Sequence, residues 1–213
     1  MKKKSGLKPY FIFKRCFDII SSSMAILFLP IFIIIIKLLY IITGDFHSIF
    51  YVQKRIGKNG KEFNLIKFRT MIKNADKSHL EELLKDPNIK KEWKDNHKLE
   101  NDPRITKVGK ILRKTSLDEL PQFLNIFIGQ MSLIGPRPLA VGELESYHGN
   151  EKIYNSIRPG LTGWWGCNGR SEILSNKKRL ELEYFYVKNI SLCLDIKCFF
   201  KTIIAVFQKK GAK

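Results

Sequence analysis

From Ile19 to Ile36 the chain runs 18 residues without a charge, and apolar character resumes after Lys37 in Leu38–Ile42. As an α-helix the run covers roughly 27 Å, close to the hydrocarbon thickness of a bilayer. No small-residue cleavage pattern follows, so the segment reads as an anchor and not as a signal peptide. Pro30 falls mid-run, where a proline removes a helix hydrogen bond at a cost of about 3 kcal/mol and usually kinks the helix. Ser21, Ser22 and Ser23 offer hydroxyls to carbonyls that a bent helix leaves free. Asp18 and Lys37 bracket the run closely, and charge deep in a bilayer is costly. A helix that enters, bends near Pro30 and returns would put Lys14, Arg15 and Lys37 at one interface. A straight transmembrane helix is the simpler alternative.

Other segments follow shorter periods. Ile49–Val52 and Phe63–Ile66 are β-prone and flank Gly57-Lys58-Asn59-Gly60, which predicts a β-hairpin over residues 49–70. Residues 76–98 are polar and mostly helical in pattern, with Pro87 starting a second helix, and read as solvated surface. Ile105, Val108, Ile111 and Leu112 form one apolar face with Lys107, Lys110 and Lys114 beside it, and 119–128 reads as an apolar helix. Within 193–210, Ile196, Phe199, Phe200, Ile203, Ile204 and Phe207 make one helical stripe, with Lys197, Lys201, Lys209 and Lys210 off it. That stripe fits a core-facing helix or one lying among lipid headgroups.

Composition narrows the class. The chain has 38 Lys and Arg against 20 Asp and Glu, a formal +18, which calls for an anionic partner: nucleic acid, an acidic membrane surface or phosphate-bearing substrates. The long uncharged run argues against a nucleic-acid-binding protein. Cys16, Cys167, Cys193 and Cys198 form no Cys-x-x-Cys, which fits a reducing compartment, and the scattered His47, His79, His97 and His148 support no zinc site. No repeat or linker divides the chain, so residues 1–45 read as a basic segment plus membrane helix and 46–213 as one cytoplasmic domain.

The densest chemistry lies around Asp118-Glu119. Lys110, Arg113 and Lys114 precede the pair, and Gly135-Pro136-Arg137-Pro138 follows. Adjacent carboxylates among guanidinium groups suit metal-assisted phosphoryl chemistry: one attacks phosphorus or holds Mg²⁺, while arginine forks match phosphate oxygens. Ser116-Leu117-Asp118-Glu119 also fits a helix capping box, the more economical reading of those four residues alone. A second candidate is the glycine-rich stretch Arg158–Arg170, where backbone amides could approach phosphate and Trp164 or Trp165 could stack on a base or sugar, or sit at a headgroup layer.

Together these motifs resemble the bacterial sugar transferases that act as monotopic polyprenyl-phosphate phosphoglycosyl transferases. The resemblance rests on Lys14-Arg15 before the run with Pro30, Lys67-Phe68-Arg69-Thr70-Met71, Asp102-Pro103-Arg104-Ile105-Thr106, Thr115–Gln122, Met131–Pro138, Arg158–Gly163 and Asn189–Lys197. It covers about residues 10–205. Two departures stand out: Leu29, where the family commonly has Ser before the kinking proline, and Gly166, where it often has Gln.

The resemblance implies an α+β, mainly helical fold: a re-entrant membrane helix hairpin marked by Lys14, Arg15 and Pro30, a small β-hairpin, and amphipathic interfacial helices around a compact cytoplasmic domain. It implies that Asp118 attacks a UDP-sugar, UMP leaves, and the phosphosugar passes to polyprenyl phosphate, with Mg²⁺ at Asp118 and Glu119. Arg113, Arg137, Lys67, Arg69, Arg158 and Arg170 become the phosphate-binding candidates. The expected location is the bacterial cell membrane with the catalytic domain on the cytoplasmic face, in contact with inner-membrane lipids; no nucleic acid is expected, and a homo-oligomer is compatible with all of this. The sugar itself is not identified.

Overall fold

The computed structural model describes residues 8–73, 75, 77–87, 89–91, 99, 102–143, 151–168 and 176–207. The apolar run forms one 35-residue helix, α1 (Lys8–Ile42), which continues through Pro30. The serine hydroxyls do not compensate for the proline. Ser21 Oγ donates to Phe17 O (2.8 Å) and Ser22 Oγ to Asp18 O (2.6 Å). These carbonyls lie well before that of Ile26, which the missing Pro30 amide leaves free.

Only a narrow stripe of α1 is buried: Asp18, Ser22, Leu29, Ile36 and Tyr40. Their spacings of four and seven keep them on one face. The opposite face is bare, with Ile20, Leu27 and Ile34 each more than 60% exposed. Asp18 is not left alone inside an apolar helix; it accepts bonds from Leu133 N (2.8 Å) and Ser132 Oγ (3.0 Å). Lys14 pairs with Asp195 at 2.6 Å, and Tyr10 and Tyr186 donate to the same carboxylate. Near the other end, Lys37 donates to Phe46 O and His47 O, and the Tyr40 hydroxyl to Arg69 O. Both ends of α1 are therefore fixed to the same body.

The predicted hairpin is present as β1 (Phe50–Ile56) and β2 (Glu62–Phe68), paired from Phe50↔Phe68 to Ile56↔Glu62. Its turn uses Asn59 and Gly60 at positive φ. In β2, Phe63, Leu65 and Phe68 go inward while Lys67 is half-buried. After α2 (Lys77–Leu83), Pro87 and residues 89–91 are also helical, and the rest of the predicted polar helix, 92–98, lies outside the described residues. Then come α3 (Lys107–Thr115), a 3₁₀ turn at Leu117–Glu119, and α4 (Gln122–Phe127). The expected helix over 119–128 is thus shorter. Pro121 sits just ahead of Gln122, where its missing amide costs nothing.

Two pairings were not legible in the sequence. β3 (Ser132–Ile134) runs parallel to β5 (Gly160–Thr162), and β4 (Leu139–Ala140) adds to the edge of β1, giving the order β2-β1-β4. Between them lies α5 (Glu151–Tyr154), and after them α6 (Trp164–Cys167), α7 (Asn176–Lys188) and α8 (Leu192–Phe207). The main core gathers Phe63, Leu65, Ile126, Met131, Leu133, Tyr186 and Cys198, and a second cluster packs α1 on α3 through Leu29, Ile36, Val108 and Leu112. Ile111, expected on that face, is 55% exposed.

α8 settles the orientation of its apolar stripe. Ile196, Phe200, Ile203 and Ile204 are exposed, while Leu194, Asp195 and Cys198 face the core. Phe199 of the same stripe packs against the main core, so the stripe is divided, with these four residues exposed and Phe199 turned inward.

Candidate functional site

α3 is positioned from its first residue. Thr106 caps it by accepting from Gly109 N (2.8 Å), and Thr106 N donates to Thr70 O (3.0 Å), which ties α3 to the end of β2. Arg104 forks onto Asp102 at 2.6–3.2 Å just upstream. Burial alone would raise the Asp102 pKa, but the Arg104 bonds hold it below the ordinary carboxylate value. At the far end Arg113 donates from Nε to Thr70 Oγ1 (3.0 Å). Burial pulls the Arg113 pKa down, and Asp118 and Asp102 pull it back up.

Ser116 ends α3 in the left-handed region (φ 56°). A non-glycine residue there is uncommon and clusters at functional sites. The capping box is not formed, because Ser116 makes no side-chain cap bond. Instead the reversed backbone at Ser116 starts the 3₁₀ turn that carries Asp118 and Glu119.

That turn borders a cavity of about 930 Å³, enclosed also by the hairpin, the Arg137-Pro138 loop, α6 and α8. Seven cations line it, namely Arg55, Lys67, Arg69, Lys73, Arg113, Lys114 and Arg137, against Asp118 and Glu119. Lys67 Nζ lies 3.1 Å from Glu119 Oε1. A wall with this excess of positive charge suits an anionic ligand, with two carboxylates beside it.

The predicted site residues divide by geometry. Arg113, Arg137, Lys67, Asp118 and Glu119 meet in the cavity. Arg69 borders it too, but its Nε, Nη1 and Nη2 are bonded to Ser48 O, Met71 O and Asp45 Oδ2, so it clamps the hairpin to the loop after α1. Arg158 is not among the lining residues; its Nε donates to Gly129 O (2.7 Å) at the end of α4, beside Arg15. Arg170 lies outside the described residues. Lys14, Arg15 and Lys37 are each bonded to groups of the body.

The glycine-rich stretch works differently from a phosphate cradle. A Cβ on Gly160 would lie 2.1 Å from Gly135 N, and one on Gly163 2.0 Å from Gly135 O. These glycines let the 158–163 strand press against the 135–138 loop, with Gly135 N donating to Thr162 O and Gly160 N to Pro136 O. The contact sets Arg137 beside α6, where its guanidinium lies 5.6 Å from the Trp165 ring. The Trp165 Nε1 is buried on the cavity wall with no hydrogen-bond partner among the described residues. Gly166 lines the cavity, and among the described residues a Cβ added there would meet Thr162 Oγ1 at 3.7 Å, an ordinary contact.

Sequence reasoning missed Arg55, Gln122 and Glu183. Arg55 gives no signal within β1; it reaches Pro138 O and Gln53 Oε1, and burial and the like charge of Arg137 lower its pKa. Gln122 is 2% exposed on the cavity wall. Glu183 sits fully buried behind the Arg137 loop, accepting from Arg137 N (3.2 Å).

Among the described residues no group of three His, Cys, Asp or Glu side chains converges as a metal cage. The donor set fits Mg²⁺ all the same. That ion is commonly held by one or two carboxylates together with substrate phosphates and water, and Asp118 and Glu119 on the cavity wall are the residues that would supply the carboxylates.

The profile of the family described as bacterial sugar transferase matches residues 9–209. An exopolysaccharide production protein, ExoY, of Rhizobium meliloti is 46% identical over 201 residues, covering 93% of this chain and 87% of that protein. The undecaprenyl-phosphate galactose phosphotransferase of Salmonella typhimurium is 42% identical over 93% of this chain. The UDP-glucose:undecaprenyl-phosphate glucose-1-phosphate transferase of Klebsiella pneumoniae is 36% identical over 94% of it. The chain spans 41% of the length of each of the latter two.

Proposed function

Because this chain belongs to the bacterial sugar transferase family, we propose that it is a sugar phosphotransferase that moves a sugar-1-phosphate from a UDP-sugar to polyprenyl phosphate. The observation that carries the reading is the Asp118-Glu119 pair on the wall of a cavity whose lining also includes seven Lys and Arg side chains. Such a wall suits a diphosphate donor and a phosphate acceptor alike.

Asp118 Oδ attacks the β-phosphorus, the P–O bond to the α-phosphate breaks, and UMP leaves. An oxygen of polyprenyl phosphate then attacks the phosphorus of the aspartyl ester, the Asp118–phosphorus bond breaks, and the lipid diphosphosugar departs. Two displacements replace one difficult step. Arg113 and Arg137 bind and orient the phosphates, and Lys67 holds Glu119 in place. Asp118 and Glu119 would hold Mg²⁺, which when bound offsets the charge of the diphosphate.

The anchor completes the reading. α1 enters the bilayer as a re-entrant helix and returns its far end to the cytoplasmic face. Asp18 and Tyr40 both dock on the catalytic body although up to about 33 Å of helix separates them. A perpendicular span would pull that body and its ion pairs into hydrocarbon.

Asp118→Asn should lower phosphosugar transfer by on the order of 10³-fold or more, the scale typical of a lost nucleophile, while the protein still folds and partitions to membranes. Incubation of the wild type with donor labelled in the β-phosphate should leave label on Asp118 and release UMP. Release of UDP, or normal turnover in the Asn variant, would refute the assignment.

A further inference from the structure

Two guanidinium groups meet away from the cavity. Arg15 donates from Nη1 to Ile126 O (2.7 Å) and from Nη2 to Phe127 O (2.6 Å), and Arg158 donates from Nε to Gly129 O (2.7 Å). Gly129 (φ +85°) marks where they converge: the point of its missing Cβ is 3.4 Å from Arg15 Nη2 and 3.8 Å from Arg158 Nη2. The two nitrogens are no farther apart than the sum of those distances. Among the described residues neither arginine is ion-paired with a carboxylate.

Capping the end of a six-residue helix does not account for this pair. A guanidinium carries five N–H groups, so three of ten are used on carbonyls. The remaining N–H groups of two like charges converge with no carboxylate bonded to either among the described residues: Asp18 is near enough to interact with the Arg15 charge but is bonded to Ser132 and Leu133, whereas Lys14, one residue away, has Asp195 at 2.6 Å. The surroundings say what would supply the counter-charge. Phe127 and Ile128 beside the pair are 45% and 64% exposed. Arg15 also lies four residues, about 6 Å along a helix, before the uncharged run begins at Ile19. With that run in hydrocarbon, the pair sits at the level of the lipid phosphates.

We infer that Arg15 and Arg158, converging over Gly129 beside exposed Phe127 and Ile128, form a binding site for the phosphate of an anionic membrane phospholipid. Planar guanidinium forks take phosphate oxygens in a bidentate way. Neither arginine lines the reaction cavity, which assigns the site to a bilayer lipid and not to the acceptor.

The test uses the full chain in vesicles with spin-labelled phosphatidylglycerol or phosphatidylcholine, reading the motionally restricted fraction of each. The wild type should prefer phosphatidylglycerol, and Arg15→Gln and Arg158→Gln should each cut that preference at least threefold. Arg158→Lys, which keeps the charge and loses the Nε bond, should retain most of it. Lys152→Gln, at an exposed position elsewhere, should retain it fully. Unchanged preference in Arg158→Gln overturns the site. So does loss in Arg158→Lys equal to that in Arg158→Gln and in step with lost thermal stability, which would mark a helix cap only. Equal loss in Lys152→Gln would mean unspecific charge attraction, and displacement of phosphatidylglycerol by stoichiometric polyprenyl phosphate would mean an acceptor site; either refutes it.

Discussion

Glu183 shows how one side chain behind a site can govern it. Its Oε1 accepts the Arg137 amide, and the Tyr154 hydroxyl donates to the Arg137 carbonyl, so the residue that faces the cavity is held from both sides. Glu183 Oε2 has no hydrogen-bond partner among the described residues. Burial pushes the Glu183 carboxyl up to about 7, against the pull of the Arg137 amide and the Arg179 and Arg137 charges. The folded state therefore holds this proton more tightly than the unfolded chain does. Its contribution is fully present below the unfolded value of 4.5 and is lost as pH rises through about 7. Glu183→Gln keeps the acceptor and removes the titration. The variant should gain stability relative to wild type as pH rises, by on the order of 3 kcal/mol above neutrality. Chemical unfolding of both proteins at pH 5 and pH 8 checks this; a difference independent of pH would show that Glu183 does not titrate there.

At the scale of elements, α8 is amphipathic in an unusual sense. Its buried face (Leu194, Asp195, Cys198) packs on the core together with Phe199, while Ile196, Phe200, Ile203 and Ile204 of the apolar stripe are exposed. Periodicity finds such a stripe but not what covers it, because core and lipid are equally apolar. Phe17 of α1 meets Phe199 edge-on at 5.9 Å, which joins this stripe to the bare face of α1. If lipid covers both, Ile204→Asp should leave folding nearly unchanged, since the residue is 53% exposed. Vesicle partitioning should fall about tenfold or more, as expected for removing a buried Ile. Flotation with vesicles reads this, and a loss of thermal stability with unchanged flotation would return the stripe to a protein contact.

At the scale of the whole molecule, the long helix and the body are one packed unit. Lys14, Arg15, Asp18, Lys37 and Tyr40 all bond to groups beyond the helix. That arrangement predicts both ends of α1 on one side of the membrane. With Cys16 and Cys193 replaced by serine, cysteines placed at Lys8 and Thr43 should both resist an impermeant maleimide in intact cells and both react after lysis. Labelling of the Lys8 position from outside would replace the re-entrant path with a full crossing.

The sequence by itself determined what depends on neighbours along the chain. The uncharged run, the hairpin with its Asn59-Gly60 turn and the amphipathic stripe of α8 follow from periodicity and turn chemistry. The Asp118-Glu119 pair and its flanking cations were legible from residue types and from likeness to a family. The tertiary structure alone decided which cations face the cavity. Arg113 and Arg137 do, Arg69 and Arg104 are spent on Asp45, Asp102 and carbonyls, and Arg158 turns to the end of α4. It also decided that Ser116 bends the chain instead of capping a helix, and that Gly160 and Gly163 pack backbone on backbone. The physical reason is reach. A guanidinium fork settles on whichever oxygens folding brings within hydrogen-bond distance, and those oxygens come from segments far away in the chain.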